Sequence, residues 1–226
     1  MFGLAFQADS GYFLSCPGGG GSTTTASTRW AHTAEAFTET TSSSSKRAYK
    51  SSGGKYLTAV NGGGGELRCD ATSVGSNEQF TLVPNKATSA TVTVSSESVA
   101  SDQLGIKAID GVVEGYPSDP EHFAGDTSRE WATAGETNGA WIQLKWSSAI
   151  TVQQVTLYDR PNLVDNILKG TLLFSNGTSV PVGALPADGS GLTVKFSSRK
   201  VTWIRFRVDQ AEGSNIGLAE LQVWPN

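Results

Sequence analysis

A chain of 226 residues is long enough for one or two domains with a full hydrophobic core. Charged residues make up only 17% of the chain and its formal net charge is -4, so we expect no basic surface for nucleic acid or an anionic membrane. No apolar stretch approaches the roughly 20 residues that span a bilayer, which excludes membrane insertion through a helix.

The N-terminal part of the chain carries one pattern twice. GYFLSCPGGGG at residues 11–21 aligns without a gap with GKYLTAVNGGGG at residues 54–65, at an offset of 43 residues. The same offset places Phe6 over Tyr49 and the EAF of residues 35–37 over the EQF of residues 78–80. A period of this length is normally the unit of a closed or stacked array, so we predict two repeats, at about 3–41 and 46–84.

Each repeat contains a run of glycines. Glycine adopts positive φ without steric cost, which makes a tight turn the simplest interpretation. No Lys-Ser or Lys-Thr pair follows either run and no helical pattern begins there, so we do not interpret the runs as phosphate-binding loops.

Cysteine and histidine are rare in this chain. Cys16 and Cys69 allow one bridge or two free thiols, and their positions within the repeats differ. We interpret both as small buried hydrophobic residues. The two histidines, His32 and His122, lie far apart in the sequence and indicate no catalytic or metal-binding pair.

A change of composition at residues 82–92 marks a domain boundary, with residues 86–90 as a linker. Beyond it, short segments alternate apolar and polar residues and are separated by Gly, Pro, Asn, Asp or Ser, which is typical of half-buried strands in a sandwich or jelly roll. Asn176-Gly177 between two such segments predicts a hairpin turn and, with Thr178, forms a glycosylation sequon. The segments are TVTVS, AWIQLKW, VQQVTLYDR, GTLLFS, LTVKFSS, VTWIRFRV and LAELQVW.

Two stretches of the C-terminal part carry a family resemblance. SSESVASDQLGIKAIDGVVEG and TSREWATAGETNGAWIQLKW, followed at the end by GLAELQVW, resemble the discoidin or coagulation-factor type C group of galactose-binding-like jelly rolls, which includes many carbohydrate-binding modules. With YDRPN at 158–162 and GLAE at 217–220, the segment is most similar to domains appended to deacetylases of the PIG-L type.

The repeats have a different resemblance. GGKYLTAVNGGGG followed by NEQFTLV is similar to fascin-like β-trefoil repeats. A trefoil has three such units and this chain has two, which would leave apolar residues such as Tyr56 and Leu57 open to water. We expect an upstream segment, a second copy of the chain or the jelly roll itself to cover them.

The predicted fold class is therefore all-β. Partial or modified β-trefoil-like repeats at residues 1–85 precede a galactose-binding-like β-sandwich, or jelly roll, at residues 91–226.

The resemblance to the jelly rolls implies a structural Ca²⁺ ion, held by the hard oxygen ligands that this ion prefers. An alternative is that Asp110 only caps its Asp-Gly turn and that Glu220 pairs with an arginine. The implied ligands are the side chains of Asp110 and Glu220, a hydroxyl from Ser128 or Thr127, and the carbonyls of Lys107, Val112 and Ala219.

The same resemblance implies a sugar site. An arginine at the end of a strand, with an amide or acid about five residues later, contacts ring hydroxyls in sugar-binding members, and Arg160 with Asp165 or Asn166 matches that pattern. The alternative is that Asp159 and Arg160 simply pair with each other or fix the loop. Further candidates are Tyr116, His122 and Phe123 as a stacking surface and Asn215 in the last loop, whereas Trp131, Trp141 and Trp146 are expected in the core.

Acid pairs such as Glu130 and Glu136 could in principle serve a glycosidase, which needs two carboxyl groups at a set separation. Acids are common in loops, however, and the sequence does not fix this separation, so we do not expect catalysis. We predict a non-catalytic, lectin-like protein that binds a galactose- or N-acetylhexosamine-containing glycan. The alternative is a C-terminal accessory fragment of a larger deacetylase or glycoside hydrolase with no binding activity of its own. A protein-bundling module is disfavoured by the low basic content.

Residues 1–11 lack the cationic and apolar regions of a signal peptide. We nevertheless expect a secreted or extracellular location, with a cytoplasmic one as the alternative.

Overall fold

The computed structural model describes residues 4–8, 12–28, 31–41, 46–113, 129–160 and 162–225. It divides the chain into two compact units, Met1–Val83 (unit 1) and Pro84–Asn226 (unit 2). Strands and short 3₁₀ turns form the regular structure of the described residues, so the all-β prediction is confirmed. Within those residues no helix is both long and apolar enough to cross a membrane.

The described residues of unit 1 form six short strands. β1 and β2 form an antiparallel pair, and β3 to β6 form a four-stranded antiparallel sheet in sequence order. The bounds are β1 Phe13–Ser15, β2 Thr25–Thr28, β3 Phe37–Thr41, β4 Arg47–Ser51, β5 Tyr56–Ala59 and β6 Leu67–Ala71.

The two glycine runs adopt the same backbone conformation. Each begins with a 3₁₀ turn, Pro17–Gly19 in the first repeat and Val60–Gly62 in the second. At the second position of the turn, Gly18 has φ 63° and Asn61 has φ 59°. Asparagine tolerates this left-handed conformation better than most residues, which explains how the second repeat manages without glycine there.

The Glu-x-Phe motif that closes each repeat has a structural cause. Glu35 accepts the backbone N–H of His32 at 2.9 Å, and Glu78 accepts the backbone N–H of Gly75 at 2.7 Å. Both carboxylates are buried, and each one provides the acceptor for a backbone N–H of its own turn.

The core of unit 1 is built from equivalent residues of the two repeats. The pairs Phe6 and Tyr49, Leu14 and Leu57, and Phe37 and Phe80 all belong to one hydrophobic cluster. Leu57, which the sequence predicts to need a cover, is only 3% exposed and packs in this cluster.

The two cysteines lie in the same cluster and are joined. Cys16 and Cys69 form a disulfide with a Cα–Cα distance of 5.9 Å. The interpretation as two small buried hydrophobic residues therefore needs correction, because both are fully buried but covalently bonded. Their different positions within the repeats do not prevent pairing, since the fold brings Cys16, directly after β1, beside Cys69 in the middle of β6.

Unit 2 is an antiparallel sheet with two very long strands. The strand order is β11-β10-β12-β9-β13-β8, and β7 also pairs with β9. The bounds are β7 Thr91–Val94, β8 Trp131–Ala132, β9 Trp141–Asp159, β10 Asn166–Phe174, β11 Ser179–Val182, β12 Leu192–Glu212 and β13 Gly217–Trp224.

Each long strand joins two of the segments that the sequence predicts as separate strands. β9 contains WIQLKW of the first predicted segment and VQQVTLYD of the second, and β12 contains both LTVKFSS and VTWIRFRV. Their mutual register shifts between Lys195 and Arg199 and again between Val201 and Trp203. Such irregularities bend strands, and the buried residues of both halves belong to one core cluster, as in a β-sandwich.

The predicted hairpin and the three predicted core tryptophans both lie in described parts of unit 2. The hairpin is confirmed, since β10 and β11 pair across a turn in which Gly177 has φ 82°. Trp131 and Trp146 are buried as expected, but Trp141 is only half-buried.

Residues 86–90 are part of unit 2, which corrects the prediction of a linker. Ala87–Ser89 form a 3₁₀ turn, Ala87 is fully buried, and the Lys86 N–H donates to the Val223 carbonyl at 2.8 Å. A linker would leave these backbone groups in water.

Candidate functional site

The loop that follows β9 is shaped by asparagine and aspartate side chains. Asn162 accepts the backbone N–H groups of Val164 and Asp165 at 2.9 and 2.6 Å, which folds residues 162–165 into a turn. At the base of the loop, Asp159 accepts the N–H of Arg160 at 2.9 Å and the N–H of Ile167 at 3.0 Å. The loop therefore has a fixed conformation at both its base and its tip.

Asp159 is almost completely buried beneath this loop. Burial raises its pKa from the ordinary value of 3.8 to about 7, while its two backbone hydrogen bonds and the charge of Arg160 act in the opposite direction. A carboxyl group in this position is thus neutral below about pH 7 and charged above it.

Arg160 lies directly after β9, where the sequence places it, and its side chain is 10% exposed. Its Nη2 and Nε atoms donate to Oε1 of Glu130 at 2.9 and 3.2 Å. The same oxygen accepts Nε2 of Gln103 at 2.6 Å. The guanidinium is therefore fixed by a buried acid that precedes β8.

The remaining donors of Arg160 reach two further loops. Its Nη1 donates to Asp165 Oδ2 at 3.3 Å and to the carbonyl of Asn215. Asp165 in turn accepts the backbone N–H groups of Ser214 and Asn215 at 2.9 and 3.2 Å. Asn215 accepts the N–H of Gly135 at 3.2 Å, which ties in the segment after β8. We call residues 130–135, 159–160, 162–166 and 213–216 the loop cluster.

Two apolar side chains stand at the edge of the loop cluster. Leu163 is 75% exposed and Val164 is 71% exposed, the largest values among the exposed large hydrophobic residues of the described chain. Sequence reasoning missed them, although two adjacent apolar residues in the turn RPNLVDN interrupt the alternating pattern. Exposed apolar groups beside fixed polar groups are the ingredients of a ligand site.

Asn166 lies at the start of β10, close in sequence to these residues. Its side chain is half-buried, and its carbonyl oxygen is enclosed without a hydrogen-bond partner in the described part of the protein. A buried amide oxygen of this kind is costly unless water or a ligand donates to it.

A second polar group of interest lies where β13 packs against the 3₁₀ turn Gly105–Ile109. Glu220 is fully buried, and neither of its carboxylate oxygens has a hydrogen-bond partner among the described residues. Burial and the nearby charge of Asp110 raise the pKa of Glu220 to about 9, against the influence of the Gly111 N–H.

Asp110 follows the same 3₁₀ turn, and both of its carboxylate oxygens have partners. It accepts the backbone N–H of Val112 at 2.9 Å, and its other oxygen lies 3.4 Å from Nη1 of Arg129. The cap that the sequence offers as an alternative role for Asp110 is thus present, whereas the described residues provide Glu220 with no arginine partner.

These residues are suited to a cation. A fully buried carboxylate that pairs with no described cation, next to a second carboxylate, is the kind of group that a bound metal ion neutralises. Glu220 and Asp110 would supply the charged oxygens. Lys107 lies on the same turn, Val112 follows it by three residues, and Ala219 lies on β13.

Comparison with known proteins places this unit in a family. A model described as "Domain of unknown function (DUF7402)" matches residues 85–224. The chain belongs to the DUF7402 family. No curated protein matches the chain.

Several solved structures are similar to it. The family 32 CBM of Clostridium perfringens NanJ, solved in complex with galactose, has 19% identity and a TM-score of 0.49 over 63% of this chain and 98% of its own. A fucose binding module of Streptococcus pneumoniae has 17% identity and a TM-score of 0.49 over 64% and 99%. A chitosan-binding module of a Paenibacillus chitosanase/glucanase has 21% identity and a TM-score of 0.46 over 62% and 98%.

The DUF7402 domain brings together Arg160, Asp165 and Asn215 of the predicted sugar site. Their contact with a sugar stays a prediction. Tyr116, His122, Phe123, Thr127 and Ser128 lie outside the described residues.

Proposed function

We propose that the DUF7402 domain is a non-catalytic carbohydrate-binding module that binds a galactose- or N-acetylhexosamine-containing glycan at the loop cluster. The observation that carries the proposal is the position of Leu163 and Val164, which are exposed beside a rigid polar network. A pyranose ring has one apolar C–H face and a rim of hydroxyl groups, and this arrangement supplies partners for both.

The rigidity of the network supports a binding role. Asp165 is held by two backbone N–H groups and by Arg160, so its carboxylate is already oriented before a ligand arrives. Groups that do not need to be ordered on binding lose less entropy, which raises affinity for a small ligand.

The burial of Arg160 modifies its proposed role. Four of its hydrogen bonds go to Glu130, Asp165 and Asn215, and its side chain is only 10% exposed. We therefore assign Arg160 chiefly to positioning the loops, while Asp165 and Asn215 offer their polar atoms to the hydroxyl groups of the sugar. Tyr116, His122 and Phe123 remain the proposed aromatic contribution.

The proposal includes a structural Ca²⁺ ion. Glu220 and Asp110 would hold it, with the carbonyls of Lys107, Val112 and Ala219 and a hydroxyl from Ser128 or Thr127. The ion would neutralise the buried carboxylate of Glu220 and join β13 to the 3₁₀ turn Gly105–Ile109. It would stabilise the domain without touching the sugar.

A glycan array tests the proposal. The whole chain is compared with a variant that carries Leu163→Ser and Val164→Ser, and with the control Val99→Ser. Val99 is 69% exposed and lies in the same unit but outside the loop cluster, so both changes remove exposed apolar surface.

We expect the wild type and Val99→Ser to give the same signals on galactose- or N-acetylhexosamine-terminated glycans and the double variant to lose them. Melting curves of all three proteins should coincide, because the substituted side chains are exposed. An array without signals, or equal signals from the double variant, would contradict the proposal.

A further inference from the structure

One face of the sheet in unit 2 points away from the core and carries an unusual set of side chains. Its members alternate along β9 and β12 with the buried residues Ile142, Leu144, Ile204 and Phe206. We call the following residues the outward sheet face: Trp141, Gln143 and Lys145 of β9, and Trp203, Arg205 and Arg207 of β12.

Arg205 has a fixed geometry at the centre of this face. Its guanidinium carbon lies 4.1 Å from the ring centroid of Trp141, and its Nε donates to Gln143 Oε1 at 3.1 Å. The N–H groups of its two terminal nitrogens make no hydrogen bond with a described residue. An arginine that is stacked on an indole and held at Nε presents its two outer nitrogens in a fixed fork.

Lys145 adds a second positive charge beside Arg205. It pairs in register with Trp203, the next residue of this face along β12. Neither Lys145 nor Arg205 forms an ion pair within the part of the chain that the structure describes. Arg207 differs, since its Nη2 lies 2.8 Å from Asp209.

The charge and shape of the face indicate its ligand. Two unneutralised cations project from one face of a chain whose formal net charge is -4, and a fixed guanidinium fork matches a carboxylate in a bidentate manner. Trp203 is half-buried and lies two residues from Arg205 on the same strand, a separation of about 7 Å. The guanidinium extends from Arg205 toward Trp141, on the side away from Trp203, so neighbouring units of an acidic polysaccharide can meet the indole of Trp203 and the guanidinium.

We propose that the outward sheet face is a second glycan site, which binds the carboxylate groups of an acidic, uronic-acid-containing polysaccharide. Arg205 receives the carboxylate, Gln143 and Trp141 hold Arg205 in position, and Trp203 packs against the sugar ring. Lys145 attracts the next negative charge of the polymer. No residue is shared with the loop cluster, so this site goes beyond the function proposed above.

The test uses three polymers and the full chain. Polygalacturonate carries carboxylates on pyranose rings, its fully methyl-esterified form carries the rings without the charges, and poly-glutamate carries the charges without the rings. Binding is measured by calorimetry and by affinity electrophoresis.

Arg205→Gln is compared with the control Arg199→Gln. Arg199 lies on the same strand, stacks on Phe174 and Phe196 at 4.4 and 4.7 Å, and loses the same charge on substitution. We expect the wild type to bind polygalacturonate only, Arg205→Gln to weaken binding about tenfold or more, and Arg199→Gln to change it less than about twofold.

Equal losses in the two variants, equal binding of poly-glutamate, or no binding of polygalacturonate by the wild type would each overturn the proposal. The Leu163→Ser and Val164→Ser variant should retain polygalacturonate binding. This variant therefore distinguishes a loss of polygalacturonate binding at the outward sheet face from a loss of glycan binding at the loop cluster.

Discussion

Nη2 of Arg160 lies 2.9 Å from Oε1 of Glu130, and both side chains are at least nine-tenths buried. A buried charge that loses its partner costs far more than the pair itself contributes. We predict that Glu130→Ala lowers the free energy of unfolding by about 3–5 kcal/mol, measured by urea denaturation. Glu130→Gln should cost less, because an amide oxygen can still accept from the guanidinium.

The control for this prediction is an exposed pair on the same unit. Arg207 lies 2.8 Å from Asp209 and its side chain is 46% exposed. Arg207→Gln should therefore cost less than about 1 kcal/mol. Similar losses in Glu130→Ala and Arg207→Gln would show that Glu130 and Arg160 are not buried as described.

The second prediction concerns pH. Because the pKa of Asp159 is raised from 3.8 to about 7, the folded state binds more protons than the unfolded state between these values. This contribution to stability is fully present below about pH 4, decreases as the pH rises, and is lost above about pH 7.

Asp159→Asn removes this titration. The stability of the wild type minus that of the variant should fall as the pH rises from 4 to 8, as measured by denaturation at each pH. Asn retains only one of the two oxygen acceptors for the N–H groups of Arg160 and Ile167. The loss of the other acceptor lowers stability by an amount that does not depend on pH. A difference that stays constant over this range would refute the raised pKa.

The third prediction concerns the proposed Ca²⁺ site. Removal of the ion by a chelator should lower the melting temperature, since an ion at a hundredfold excess over its Kd stabilises the folded state by about 2.7 kcal/mol. Glu220→Gln should melt at the same temperature with or without Ca²⁺, whereas Glu212→Gln, an exposed acid on β12, should behave as the wild type. An unchanged wild-type melting temperature together with no metal on elemental analysis would dismiss the site.

The fourth prediction concerns the disulfide of unit 1. The bond between Cys16 and Cys69 closes a loop with a sequence separation of 53. A loop of this length restricts the unfolded chain by about 4 kcal/mol in the loop-entropy model. Reduction should therefore accelerate hydrogen exchange in β4 to β6 strongly. Exchange that is unchanged after complete reduction would show that the core of unit 1 does not depend on the bond.

Patterns within short segments predicted much of the fold. Alternating apolar residues indicate the strands of unit 2, and the offset of 43 residues identifies the pairs that meet in the core of unit 1. The sequence did not show that two predicted strands join into β9. Alternation breaks where a strand bends, so a bend and a loop look alike in sequence.

The candidate site was predictable only in part. Arg160, Asp165 and Asn215 follow from the resemblance, but their mutual contacts and the partner Glu130 do not; Glu130 and Asn215 lie 30 and 55 residues from Arg160. No local pattern connects such positions. Trp141 illustrates the same limit, since alternation alone does not decide which face of a strand meets the core.

The most direct test of the central claim is an NMR titration of the ¹⁵N-labelled chain with galactose and with N-acetylgalactosamine. Single-sugar affinity should be weak, with a Kd near about 1 mM, so binding is in fast exchange. We predict that at least one of the two sugars causes saturable shifts at the amides of residues 163–165 and 214–215. Saturable shifts confined to residues of unit 2 outside 116–123, 163–165 and 214–215, or no shifts with either sugar, would contradict it.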